Sequence, residues 1–123
     1  MSYKIIFTDL DDTLLNSEKK ISQIDKEAIM KAQEAGIKFV LASGRPTFAM
    51  YDLAKELELE KYGSFILSFN GSIITNCKSG EHIFEESLTK EDLHLMYDFA
   101  KENSCHILTL SLIHISEPTR RSY

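Results

Sequence analysis

The segment Ile5-Ile6-Phe7-Thr8-Asp9-Leu10-Asp11-Asp12-Thr13-Leu14-Leu15-Asn16 (residues 5–16) decides the fold. It opens with an apolar run typical of a buried strand and then delivers three carboxylates and a hydroxyl. Because side chains alternate along a strand, Asp9 and Asp11 are expected to leave it on the same side. Crowded acids repel one another unless a cation binds them or one is protonated. Such a site suits Mg²⁺ and covalent phosphoryl transfer. The alternative is a turn with solvated acids and a capping Asp or Thr.

The rest of the chain alternates between strand and helix patterns. Apolar runs predict strands at residues 4–8, 38–42 and 65–68, and helical spacing predicts helices at about 22–35 and 47–58. The order βαβαβ is half of a doubly wound parallel sheet, which makes the fold class α/β. An Asn-Gly turn, strands at 73–75 and 82–85, a helix at about 89–102 and a strand at 106–110 are expected to follow.

Two further clusters follow predicted strands. Ser43-Gly44-Arg45 comes directly after the second strand, where a hydroxyl, a glycine and a following helix start suit phosphate binding. Arg45 could reach the phosphate or the substrate with its planar guanidinium, or pair with a surface glutamate instead. Asn70 follows the third strand in an Asn-Gly pair that a hairpin turn alone would explain.

The composition of the chain limits the classes of function that it can have. The chain has 123 residues, 43% of them hydrophobic, which suits one domain or a domain and part of another. A net charge of −5 argues against nucleic acid as a partner. Cys77 and Cys105 lack metal-binding spacing, and no apolar run approaches the roughly 20 residues that cross a bilayer. We therefore expect a cytoplasmic protein with reduced cysteines and no membrane partner.

Asp9-Leu10-Asp11-Asp12-Thr13-Leu14 closely resembles the first motif, DxDxT, of the haloacid dehalogenase-like hydrolases. Together with the later segments, from about residue 4 to about residue 110, the chain is similar to the Cof-type branch. The resemblance implies a Mg²⁺-dependent phosphatase of small phosphorylated metabolites. Asp9 would be the nucleophile that becomes an aspartyl phosphate, and its other oxygen would bind Mg²⁺. Asp11 would be the general acid and base, with its backbone carbonyl a second metal ligand.

The other site residues also have counterparts in the family. Ser43 would donate a hydrogen bond to the transferring phosphoryl group. Similar proteins carry an Asn-Gly pair after the third strand, beside the cleft. Asn70 would therefore orient the substrate or the motif loops. Asp12 stands where many members have glycine, and Thr13 would support the loop.

The resemblance also implies a domain division. Residues 1–80 would be the first part of the hydrolase core, and residues 81–110 the start of a mobile α/β cap. Residues 111–123 no longer resemble the family and are expected to be a non-native or disordered tail. A complete member is much longer and supplies a phosphate-binding lysine and a Gly-Asp…Asp motif. We therefore expect this chain alone to be a nearly inactive fragment.

Three alternatives remain at the level of sequence. A phosphomutase of the same superfamily would share the nucleophile and differ in the fate of the phosphoryl group. A non-catalytic binding fragment would use the same fold without turnover. A two-component receiver domain would need its phosphoacceptor aspartate after the third strand, where this chain has Ser68-Phe69-Asn70.

Overall fold

The computed structural model describes residues 3–110. These residues contain one five-stranded sheet in the order β1-β2-β3-β4-β5. The strands are β1 (Ile5–Asp9), β2 (Lys38–Ala42), β3 (Phe65–Ser68), β4 (Ile73–Asn76) and β5 (His82–Glu85). The helices are α1 (Gln23–Glu34), α2 (Tyr51–Glu56), α3 (Leu59–Tyr62) and α4 (Lys90–Glu102). The sheet and α1–α3 form one compact unit that ends at Glu85, and α4 belongs to a second unit that begins at Glu86.

The predicted α/β fold is confirmed. Strands β1, β2 and β3 are parallel, and helices connect them, as βαβαβ order requires. Strands β4 and β5 then add antiparallel, and the Asn70-Gly71 turn makes the first reversal. The helix α1 begins after Ser22, whose hydroxyl caps it by accepting from the Asp25 backbone N–H at 3.2 Å.

The main core lies between the sheet and the helices α1 and α2. Side chains alternate along β2: Phe39 and Leu41 belong to this core, and Val40, which is also buried, points to the opposite face of the sheet. The other core members come from the loop after β1, from α1, from the helical segments between β2 and β3, and from β3: Leu10, Leu14, Leu15, Ile21, Ile29, Met50, Ala54, Leu57, Leu59 and Ile66. The loop that carries the acidic motif is therefore anchored by buried leucines.

Two element predictions need correction. The single helix predicted over 47–58 is instead a 3₁₀ turn (Thr47–Met50) followed by α2, and Glu58, with a left-handed φ of 53°, then separates α2 from α3. Within residues 3–110, the strand predicted at 106–110 is represented by a single bridge position, Leu108. The tail prediction for residues 111–123 lies outside the described residues.

The second unit contains α4, whose N-terminus forms a capping box. The Thr89 hydroxyl accepts from the Asp92 backbone N–H at 3.0 Å, and the Asp92 carboxylate accepts from the Thr89 N–H at 3.1 Å. Among residues 3–110, none of the helices combines the length and the apolar character needed to cross a lipid bilayer.

Candidate active site

The carboxyl ends of the three parallel strands meet at a cleft of about 350 Å³. Strand register places Asp9 beside Ala42 and Ala42 beside Leu67, so the loops that follow these strands lie next to one another. The cleft is lined by Asp9, Ala42, Ser43, Gly44, Leu67, Asn70 and Gly71. Its size suits a small-molecule ligand, and its place beyond the strand ends is where α/β sheets bind ligands.

Asp9 is the last residue of β1, and the chain turns sharply after it. Leu10 is fully buried, Leu15 N–H donates to the Leu10 carbonyl at 2.9 Å, and Leu14 N–H donates to the Asp9 carbonyl at 3.3 Å. Asp11 therefore lies in this turn rather than on the strand, so strand alternation does not decide its direction. Asp12, also in the turn, has a φ of 63°, in the left-handed region that favours glycine.

The loops after β2 and β3 are held together by backbone hydrogen bonds. Phe69 N–H donates to the Arg45 carbonyl at 2.9 Å, and Asn70 N–H donates to the Ser43 carbonyl at 3.1 Å. A Cβ on Gly44 would lie 2.9 Å from the Asn70 side-chain oxygen, so any larger residue at position 44 would have to displace the Asn70 amide. Phe69 and Asn70 both have left-handed φ values, 50° and 57°, an uncommon backbone state that the two hydrogen bonds hold beside the cleft.

Ser43 keeps a proton free for a ligand. Its hydroxyl oxygen accepts from the Arg45 backbone N–H at 3.1 Å. Because the hydroxyl acts there only as an acceptor, its own hydrogen can still be donated. Beneath the cleft, the fully buried hydroxyls of Thr47 and Ser68 share a hydrogen bond of 2.5 Å, which ties the start of the 3₁₀ turn to the end of β3.

Asp11 is bound by two cationic side chains through a single oxygen. Arg45 Nη2 donates to Asp11 Oδ1 at 2.9 Å, and Lys19 Nζ donates to the same oxygen at 3.2 Å. These hydrogen bonds, from Arg45 first and Lys19 second, hold the pKa of the Asp11 carboxyl below its ordinary value. Asp11 is therefore a carboxylate at neutral pH.

The structure thus places each of the predicted residues at this end of the sheet. Asp9, Ser43, Gly44 and Asn70 line the cleft, whereas Arg45 contacts Asp11. Sequence reasoning missed Lys19, which lies in a polar link between strand and helix with no motif of its own, and Gly71, which was explained by the turn alone.

The donor set fits Mg²⁺ in part. The Asp9 carboxylate opens onto the cleft, and the Asp11 backbone oxygen accepts no hydrogen bond from residues 3–110. Within that range there is no group of three or more side chains of the metal-binding types. Mg²⁺ commonly takes one or two carboxylates and completes its shell with water and phosphate, so these two oxygens fit its usual partial shell.

Comparison with known proteins identifies the family. The model of the haloacid dehalogenase-like hydrolases matches residues 6–116. The chain belongs to the haloacid dehalogenase-like hydrolase family. It is 34% identical over 100 residues to YxeH from Bacillus subtilis (strain 168), named as a candidate phosphatase. It is 33% identical over 102 residues to YcsE from the same organism, named as a 5-amino-6-(5-phospho-D-ribitylamino)uracil phosphatase.

Solved structures of the family share the fold. A haloacid dehalogenase-like hydrolase from Bacteroides thetaiotaomicron superposes with a TM-score of 0.79 and 45% identity, covering 89% of this chain and 41% of that one. The matches to YxeH and YcsE cover 81% and 82% of this chain. They cover only 37% and 39% of those relatives, so the chain spans less than half of their length.

Proposed function

We propose that the chain is the nucleophile-bearing part of a Mg²⁺-dependent phosphatase that hydrolyses small phosphorylated metabolites through an aspartyl phosphate. The observation that carries this proposal is the cleft at the strand ends. It brings Asp9, the Ser43 hydroxyl and the Gly44 backbone to one place, with Asp11 in the adjoining turn. The names of YxeH and YcsE as phosphatases support the same reaction class.

In the first step, an Asp9 carboxylate oxygen attacks phosphorus and the bond from phosphorus to the ester oxygen breaks. Asp11 gives the departing oxygen its proton. The Ser43 hydroxyl donates to a phosphoryl oxygen, and Asn70 orients the ligand beside Gly44. The Asp9 carboxylate and the Asp11 carbonyl would hold Mg²⁺, which when bound neutralises charge that develops on the phosphoryl oxygens.

In the second step, Asp11 accepts a proton from water, whose oxygen attacks the phosphorus of the aspartyl phosphate. Phosphate leaves and the Asp9 carboxylate is restored. The lowered pKa of Asp11 keeps its carboxylate deprotonated and so able to accept a proton, although it also weakens that carboxylate as a base. Its role as an acid needs a proton that Arg45 and Lys19 disfavour while both contact it. The anionic phosphate of a bound substrate opposes that effect, because nearby negative charge raises a carboxyl pKa.

Beryllofluoride, which mimics a phosphoryl group on an aspartate, tests the nucleophile directly. With Mg²⁺ present, we expect a bound signal in ¹⁹F NMR from the 123-residue chain, lost in Asp9→Asn and retained in the matched Asp12→Asn. Absence of the signal, or its persistence in Asp9→Asn, would contradict the proposal.

We also infer that the chain alone releases phosphate very slowly. Described residues offer only a partial metal shell, and the family's later lysine and Gly-Asp…Asp motif are not recognisable in the 123 residues. Phosphoryl transfer depends heavily on positioned positive charge. Phosphate release from p-nitrophenyl phosphate is therefore expected to stay near the rate of the Asp9→Asn variant; family-like rates would refute this inference.

A further inference from the structure

Lys19 stands out because the proposed chemistry assigns it nothing, although it contacts a central residue of that chemistry. Its Nζ lies 3.2 Å from Asp11 Oδ1, and Arg45 Nη2 lies 2.9 Å from the same atom. The two donors come from different loops, one after β1 and one after β2. Among residues 3–110, no donor reaches the other carboxylate oxygen, Oδ2.

The backbone at Lys19 is held in an unusual conformation. Its φ of 60° lies in the left-handed region, which is costly for a residue with a Cβ. Asn16 holds it there: the Asn16 side-chain oxygen accepts from the Glu18 and Lys20 N–H groups at 2.9 and 3.1 Å. The Asn16 carbonyl accepts from Lys19 N–H at 2.9 Å, and Asn16 N–H donates to the Lys20 carbonyl at 2.9 Å.

This turn does not depend on the ion pair with Asp11. Its hydrogen bonds all join residues 16–20 to one another. They therefore fix the backbone position of Lys19 whether or not its ammonium group contacts Asp11. An exposed ion pair contributes little to stability, and the Lys19 side chain is 63% exposed. The turn itself accounts for the left-handed state at Lys19, because it links Leu15 to its bridge partner Ile21 and thereby sets where the Lys19 side chain starts.

We propose that Lys19 is a positioning residue for Asp11. A single donor on Oδ1 would let the Asp11 side chain exchange between rotamers about its Cα–Cβ bond while it keeps that hydrogen bond. Two donors from separate loops fix its direction and leave Oδ2 free for proton transfer with the departing oxygen or with water. The proposal rests on the acid and base role of Asp11 in the proposed function.

Solution NMR of the 123-residue chain tests this without turnover. Couplings from the Asp11 side-chain carboxyl carbon to its backbone nitrogen and carbonyl carbon report the side-chain rotamer. We expect one rotamer in the wild type, averaged couplings in Lys19→Gln, and recovery in Lys19→Arg, which restores a cationic donor. The matched control Lys20→Gln removes the neighbouring charge and is expected to keep the wild-type couplings.

The urea midpoint, measured on the same variants, is expected to stay unchanged, because the ion pair is exposed. Unchanged couplings in Lys19→Gln, an equal effect of Lys20→Gln, or averaging in the wild type would overturn the proposal. The beryllofluoride experiment separates the two hypotheses. A rotamer that responds to Lys19 without any adduct at Asp9 would refute the phosphatase and leave Lys19 as the residue that orients Asp11.

Discussion

Asp12 shows how a single backbone angle constrains residue choice at the site. Its φ of 63° is costly for a residue with a Cβ, and aspartate tolerates it better than most. Asp12→Gly should therefore raise the free energy of unfolding, by up to about 1 kcal/mol. Asp12→Ala, which keeps the Cβ but loses the polar side chain, should lower it. Urea unfolding of both variants checks this; a glycine variant no more stable than the alanine variant would show that the turn is unstrained.

The two cysteines differ in their surroundings. Burial, and secondarily the charge of Glu60, raise the pKa of the Cys77 thiol from 9.0 to about 11, whereas Cys105 is exposed. A rise of that size lowers the thiolate fraction near pH 8 by about 100-fold. Iodoacetamide should therefore modify Cys105 well before Cys77 in the folded chain, and mass spectrometry can follow both. Equal rates in urea serve as the control, and equal rates in the folded chain would contradict the prediction.

At the residue scale, the sequence could identify Asp9 and Ser43 as candidates because each directly follows an apolar strand pattern, and Asn70 because it belongs to an Asn-Gly pair after the third strand. It could not reveal that Arg45 and Lys19 both contact Asp11, because they lie 34 and 8 residues away along the chain. Such contacts depend on how loops fold back, and no local pattern encodes that path.

At the scale of elements, Gln33 joins α1 to two neighbouring segments although it is 3% exposed. Its side-chain nitrogen donates to the Leu57 carbonyl at 2.8 Å, and its oxygen accepts from the Ser64 hydroxyl at 2.8 Å. Gln33→Leu leaves both partners buried without that bond and should cost about 1–3 kcal/mol. The exposed Gln23→Leu on the same helix is the control and should stay within about 0.5 kcal/mol of the wild type. Equal losses in the two variants, measured by urea unfolding, would refute this role.

Elements were predictable where local chemistry decides them. Strand β2 matches its prediction because Phe39-Val40-Leu41 is apolar on both faces, and α1 and α4 begin where Ser22 and Thr89 cap them. The region after Thr47 was predicted only in part: its first residues form a 3₁₀ turn instead of an α-helix, whereas the backbone break at Glu58 falls at the predicted end of the helix. Glutamate gives no local signal for a left-handed residue, so packing rather than propensity sets that break.

For the whole molecule, the two edges of the sheet differ in protection. The outer edge strand β5 also exposes apolar side chains, Ile83 and Phe84, but its pairing with β4 is irregular near Ile74 and Thr75, which discourages further pairing. Strand β1 pairs only with β2 among residues 3–110, and Ile5–Asp9 contains neither lysine, proline nor a bulge. Its Ile5, Ile6 and Phe7 side chains are 42%, 37% and 56% exposed.

An unprotected apolar edge of this kind can pair with a second chain. We therefore expect the 123-residue chain to self-associate at concentrations of about 10–100 μM. Phe7→Lys, which places a charge on the edge, should reduce the association. Ile24→Lys makes a similar change in charge and polarity on α1, where Ile24 is 81% exposed, and should not. Sedimentation velocity distinguishes the outcomes: a wild-type monomer throughout that range, or an equal effect of both lysines, would show that β1 is not the pairing edge.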